Sequence, residues 1–379
     1  MDKFISINVN QGDSFYLERS GVKILVDGGR ARLGFPRQFE STIGEKQLDL
    51  VVCTHADADH INGLLGFFEA GLKAKEVWLP GKWTSRLREL LINPEGFVVE
   101  LVNQILRIDT LEISSLEKLS EIEEFPKIEE DNIGYEELRI EIDQIYQAIE
   151  ESSDRARIFD LSMWPLQHFL WFYDLSPTQR NLFVDAIDTA NKIRELAVLS
   201  YHSGAKIRWF EFDSFSTASG GESFLRPVNS QEIFSVSSRL SALAYLSISK
   251  SNRESLVFHS PASDRSSSIL FSADSDFSFH YQLPDLEDNS IITAPHHGSE
   301  HNRNAYLRLN SEGLITKQTI FVRSDGRFSK RPGNVYILEK SKKICTLCRH
   351  PNAESQDVIF TSSSSGWRKK NGLSWCHCI

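Results

Sequence analysis

The sequence predicts an α/β fold in which a block of helices interrupts a series of strands. Three observations carry this. Short apolar strands ending in polar turns fill the first 80 residues. Helical periodicity dominates from about 85 to 205, and strand character returns from 206 onward. Motifs that need one another lie on both sides of the helical block, so an insertion within one unit fits better than two independent domains. The expected boundaries are 1–84 for the first half, 85–205 for the insertion, 206–340 for the second half and 341–379 for a Cys/His tail.

Taken in order, Phe4–Val9 alternates and stops at Asn10-Gln11-Gly12-Asp13-Ser14, and Phe15–Leu17 resumes as a strand. Val22–Val26 is a short apolar strand ending at Asp27-Gly28-Gly29. Leu48–Cys53 is another, apolar throughout its end as a buried strand requires, and it stops at Thr54-His55. Ile61, Leu64, Leu65 and Phe68 recur at helical spacing, and Glu76–Leu79 reads as a strand. In the insertion, Arg86–Leu91, Tyr135–Glu151 and Pro177–Ser200 have helical periodicity, and the aromatic-rich Trp164–Tyr173 is expected to be core. Strands are expected at Lys206–Phe212, Leu243–Ile248, Ser255–Phe258, Ser268–Ser272, Ile291–Ala294 and Thr319–Arg323.

The 379 residues are enough to bury a core without disulfide or metal staples. Apolar residues at 40% and charged residues at 25% exclude bulk disorder. No stretch approaches the roughly 20 apolar residues of a membrane span, no secretory signal is apparent, and five cysteines suit a reducing cytoplasm. The net charge of −10 argues against a surface that binds nucleic acid all over. Arg226–Ile379 nevertheless holds 19 basic and 14 acidic residues, which leaves room for an anionic substrate there. The acid-rich run from Glu117 to Asp143 reads as a solvated face.

The sharpest motif is Thr54-His55-Ala56-Asp57-Ala58-Asp59-His60. Four potential ligands fall within six residues, between an apolar strand and a helix. A tight strand-to-helix turn can aim alternate side chains at one point, and imidazole with carboxylate suits Zn(II), Mn(II) or Fe(II). Two later segments supply more ligand types at strand ends: Ser272-Ala273-Asp274, and Pro295-His296-His297-Gly298-Ser299.

With Asn10 to Ser14, Asp27-Gly28-Gly29 and Asn252 to Val257, these segments resemble the metallo-β-lactamase superfamily. They most resemble the branch holding the hydrolase domain of the DNA-uptake protein ComEC and the choline-phosphate esterases. The resemblance covers residues 1–80 and about 206–335. It implies a four-layer αββα sandwich with two divalent metal ions, zinc or manganese, at one edge. It implies that His55 and Asp57 bind one ion, that Asp59, His60 and His297 bind the other, and that Asp274 bridges them. It places His296 and Ser299 beside the metals, and gives Asp13 and Asp27 the task of fixing ligand histidines, although a turn-forming role fits both acids as well. Two departures stand out. Asp57 replaces the commoner histidine, which hardens the site toward manganese. No histidine precedes the acid strand at Phe224-Leu225-Arg226-Pro227, and His202 and His259 do not follow the right motif.

The expected activity is metal-dependent hydrolysis of a phosphodiester by a nuclease or phosphodiesterase, with a metal-bound hydroxide as nucleophile. Asp59 would orient that hydroxide and carry a proton, and His296 would stabilise developing negative charge. The basic segment Arg323–Arg331 would hold substrate phosphates or form a solvated loop. Hydrolysis of a small ester, lactone or thioester is a second reading. A third is a non-catalytic metal-binding protein whose helical insertion docks a protein partner. At the chain end, Cys345, Cys348, Cys376 and Cys378, with His350 and His377, suggest a structural zinc site, while Lys343–Leu347 also fits a plain strand.

Overall fold

The computed structural model describes residues 1–108, 113–120, 142–152, 175–325, 331–348, 354–363, 366–370, 372–373 and 375–376. The strands are β1 (Lys3–Ser6), β2 (Phe15–Arg19), β3 (Val22–Val26), β4 (Gln47–Val52), β5 (Lys73–Pro80), β6 (Lys206–Phe212), β7 (Arg226–Pro227), β8 (Ser230–Ile233), β9 (Phe258–Ser260), β10 (Ile269–Phe271), β11 (Ile291–Thr293), β12 (Ile320–Arg323), β13 (Lys342–Cys345), β14 (Val358–Ser363) and β15 (Gly366–Lys369). The α-helices are α1 (Phe35–Thr42), α2 (Ala58–Glu69), α3 (Thr84–Ile92), α4 (Pro94–Leu106), α5 (Leu116–Ser120), α6 (Ile142–Ser152), α7 (Pro177–His202), α8 (Ala242–Ser249), α9 (Arg303–Ser311) and α10 (Asn334–Ile337).

The strands form two sheets. The larger runs β15-β14-β1-β2-β3-β4-β5-β6-β8, and the smaller β13-β12-β11-β10-β9-β7. Strands β3 to β6 are mutually parallel, as are β10 to β13. Parallel runs need crossovers, and those crossovers put helices on the outer faces. Side chains alternate accordingly. Ile24 and Val26 face Phe271, Ile291 and Val322 between the sheets, while Leu25 and Val51 face the helices. A third core, with Leu270, Ile292 and Phe321, packs against α9 and Tyr336. Three cores separate four layers, helix–sheet–sheet–helix. Each fully buried Val, Leu, Ile or Phe contributes about 1.5–3 kcal/mol.

The insertion rejoins the larger sheet directly, because three residues separate the end of α7 from β6, which pairs in parallel with β5. The residues after 341 also enter the sheets. Strand β13 pairs with β12, and β14 pairs with β1 across more than 350 positions of sequence. One expected strand is a helix instead. Leu243–Ile248 lies within α8, where Ser241 Oγ accepts the Ala244 N–H as an N-cap and Ala242, Leu243, Tyr245 and Leu246 are all buried. A short, mostly apolar run carries no usable period, and the capping serine decides. Strand β9 begins at Phe258, later than the expected Ser255. Trp164–Tyr173 lies outside the described residues. Among those described, no helix is long and apolar enough to cross a membrane.

Candidate metal centre

The ligand candidates gather at the carboxyl ends of the parallel strands. Strand β4 ends at Val52, and the chain turns through Thr54-His55-Ala56 into α2, with Asp57 as its N-cap. Strand β10 delivers Asp274, and β11 delivers the histidine pair. His296 and His297 both have left-handed backbone, φ 46° and 53°. Such residues cost about 1–3 kcal/mol each and persist where the surroundings over-determine them. Here they turn the two rings apart, toward different partners.

Among the described residues, three groups of candidate ligand atoms lie within 4.8 Å of one another: His55, His60 and Asp274; Asp59, His60 and His297; and Asp13, Asp274 and His297. His60 Nε2 is 3.3 Å from Asp274 Oδ1. His297 Nε2 is 3.6 Å from both Asp59 Oδ2 and Asp274 Oδ1. Asp13, Asp59, Asp274, His55, His60 and His297 are all buried.

Hydrogen bonds fix which nitrogen of each ring is bare. His60 Nδ1 donates to Asp27 Oδ2 at 2.8 Å. His297 Nδ1 lies 3.1 Å from Asp13 Oδ1 and 3.0 Å from the Ser324 carbonyl, and a carbonyl can only accept, so Nδ1 carries a proton. Thr54 Oγ1 gives its one proton to Asp27 Oδ2 at 2.7 Å and therefore accepts from His55 Nδ1 at 3.0 Å. Among the described residues, all three Nε2 atoms are left buried without a hydrogen-bond partner, as is Asp274 Oδ1. Orphaned acceptors that converge in a buried site are the donor set a divalent cation requires, so these residues fit the ions that the resemblance implies.

The electrostatics agree. Burial works against a charge on His60, yet Asp274 and Asp27 hold its pKa well above the usual histidine value. Burial is likewise outweighed at His297 by Asp13, Asp274 and Asp325. Asp274 is buried but stays far below the usual carboxylate range because His296, His60 and His297 face it. The cluster thus has a negative field that, without an ion, histidine protons answer. His55 differs: burial and the neighbouring His60 push it down to about 4, so it is neutral.

Asp57 is placed otherwise. Its Oδ1 accepts the Ala58 N–H at 2.9 Å and lies 3.6 Å from Lys250 Nζ, and it belongs to none of the three ligand groups. His296 sits beside the cluster, with Nε2 3.6 Å from Asp274 Oδ2. Its Nδ1 meets Asn302 Oδ1 at 2.9 Å, and Asn302 in turn donates to the carbonyls of Asp274 and Ser275. Ser299 Oγ accepts the His301 N–H and caps a short turn. His202 closes α7 and His259 stands on β9, outside the three groups.

Four residues escaped the reading of the sequence. Thr54, Asn302 and Lys250 act through contacts that only the fold creates. Glu254 lies in the Asn252–Val257 stretch but is not distinctive there. It lines a cleft next to His55 with Lys82, Phe210, Phe212 and Ser249. Its Oε2 is buried without a hydrogen-bond partner, and burial raises its pKa to about 7 against the pull of Lys82 and Arg253. A raised carboxyl in a cleft marks a functional candidate.

With this geometry in view, the comparison with known families is specific. Residues 7–133 match the model of the metallo-beta-lactamase superfamily. No curated protein matches the chain. The matched third of the chain contains the His55–His60 motif but not Asp274, His296 or His297, whose convergence is a finding of the structure. The two large sheets between helical layers are those of the metallo-β-lactamase sandwich.

Proposed function

We propose that this chain is a metal-dependent hydrolase acting on phosphodiesters, in nucleic acid or nucleotides. The observation that carries the reading is the convergence of three bare Nε2 atoms and Asp274 Oδ1 from three separate strand ends. Asp59, His60, Asp274 and His297 would hold one divalent ion, zinc or manganese. His55, with Asp274 and a reoriented Asp57, would hold a second more weakly. Bound ions of this kind supply Lewis acidity and lower the pKa of water.

The chain's own residues do the rest. Asp59 is kept ionised, despite its burial, by His297 and His60, and accepts a proton from the attacking water. His296, oriented by Asn302, presents Nε2 toward oxygens that gain negative charge. Asp27 and Asp13 hold the histidine rings in place through Nδ1. The basic excess after residue 226 supports an anionic substrate. Of the basic segment, Arg331 pairs with buried Asp325 at 3.4 Å, and residues 326–330 lie outside the described ones.

The test is hydrolysis of bis-p-nitrophenyl phosphate and of DNA with added manganese or zinc. Turnover by the wild type that vanishes in Asp274→Ala and His60→Ala supports the proposal. Turnover unchanged in both variants refutes it.

A further inference from the structure

A second set of ligand atoms lies one strand away from the histidines. Cys345 ends β13, and its register partner on β12 is Arg323, the residue before the Ser324 that receives His297. Cys348 follows three residues later. Cys376 arrives from the far end of the chain, where its N–H donates to the Lys343 carbonyl at 2.7 Å and so adds the terminal segment to the outer side of β13. The sulfur of Cys376 is 3.1 Å from Cys345 Sγ and 2.9 Å from Cys348 Sγ.

We propose that Cys345, Cys348 and Cys376 bind a structural zinc ion that clips the chain's end to the edge of the smaller sheet. Thiolates suit zinc, and Cys-x-x-Cys plus a distant cysteine is a usual ligand spacing. Sulfurs around one zinc, at about 2.3 Å each, stand about 3.8 Å apart, so a small outward movement of each sulfur makes room for the ion. Arg323, buried beside Cys345, adds positive charge against the sulfurs and ties the same turn by donating to the Leu347 carbonyl at 2.8 Å. The clip also answers a physical need. Strand β13 is the edge of its sheet, and an uncovered edge invites pairing with other chains.

Cys376 is disulfide-bonded, and that bond competes with zinc for its sulfur. A thiol reductant supplies two electrons and two protons, yielding two thiols and its own disulfide; the thiols then release protons as zinc binds. The ion therefore belongs to the reduced protein.

The experiment uses the full chain, reduced and supplied with zinc or cobalt. Mercurial modification of wild-type thiols should release one zinc per chain. The cobalt form should show a thiolate-to-metal charge-transfer band that persists in Asp274→Ala and is lost in Cys348→Ser/Cys376→Ser. No such band in the reduced wild type, or no zinc released by the mercurial, overturns the proposal. Because the band is read in the presence of Asp274→Ala, the result is independent of the histidine centre.

Discussion

The two sides of the histidine cluster are built differently. On one side, His60 and His297 are each anchored at Nδ1 by a buried carboxylate, and Asp59 and Asp274 face their Nε2 atoms. On the other, His55 is anchored only through Thr54, and its sequence neighbour Asp57 caps a helix. Lys250 approaches that carboxylate and is held from behind by Asp185 at 2.7 Å. An ammonium group near one side occupies part of the negative field that a second ion would need. One motif would thus supply two unequal cation positions, because ligand identity alone does not orient a side chain.

The largest expected effect breaks both sides together. Asp274→Ala removes the carboxylate shared by two ligand groups, and metal-stimulated turnover should fall to background in a steady-state assay. Next, Asp27→Asn weakens the acceptor for His60 Nδ1 and Thr54 Oγ1. Metal affinity, measured by competition with a chelating dye, should drop about 10–100-fold. A drop of that size with unchanged thermal stability would place the effect in ring positioning.

Lys250→Met sharpens the contrast between the sides. Calorimetric titration with manganese should show the second, weaker site tighten several-fold while the first stays constant. Asp57→Asn in the same background should cancel the gain. If Lys250→Met leaves both sites unchanged, the ammonium does not compete for the position.

The smallest effect concerns Glu254, beside His55. Its folded pKa of about 7 stands above the ordinary 4.5, so the folded state keeps the proton to higher pH. Stability is therefore full below about 4.5, falls as pH rises toward 7, and levels off above. The total decline amounts to about 3 kcal/mol. Glu254→Gln should flatten that decline in a series of melting temperatures from pH 5 to 8.

Much of the frame was legible in the residues. Short apolar runs bounded by polar turns located β1 to β6 to within a few residues, and the ends of β4, β10 and β11 pointed to the candidate ligands that the fold brings together. The α8 segment was not legible, because Leu243–Ile248, apolar at five of its six positions, fits a buried strand as well as a buried helix. Nor was the pairing of β14 with β1, since nothing local marks a partner so distant in sequence. Gly12 illustrates the same limit. It reads as a turn residue, yet a Cβ there would lie 1.8 Å from the Asp59 carbonyl, so its need for glycine comes from a contact 47 positions away.

The sequence by itself determined the chemistry on offer: which side chains donate nitrogen, oxygen or sulfur, and on which strand ends they sit. Only the tertiary structure decided which of those atoms remain bare. Hydrogen bonds to Asp27, Asp13 and Thr54 consume one nitrogen of each ring, while a helix cap and Lys250 engage Asp57. Those contacts join residues far apart along the chain, and their geometry exists only once two sheets close on a common core.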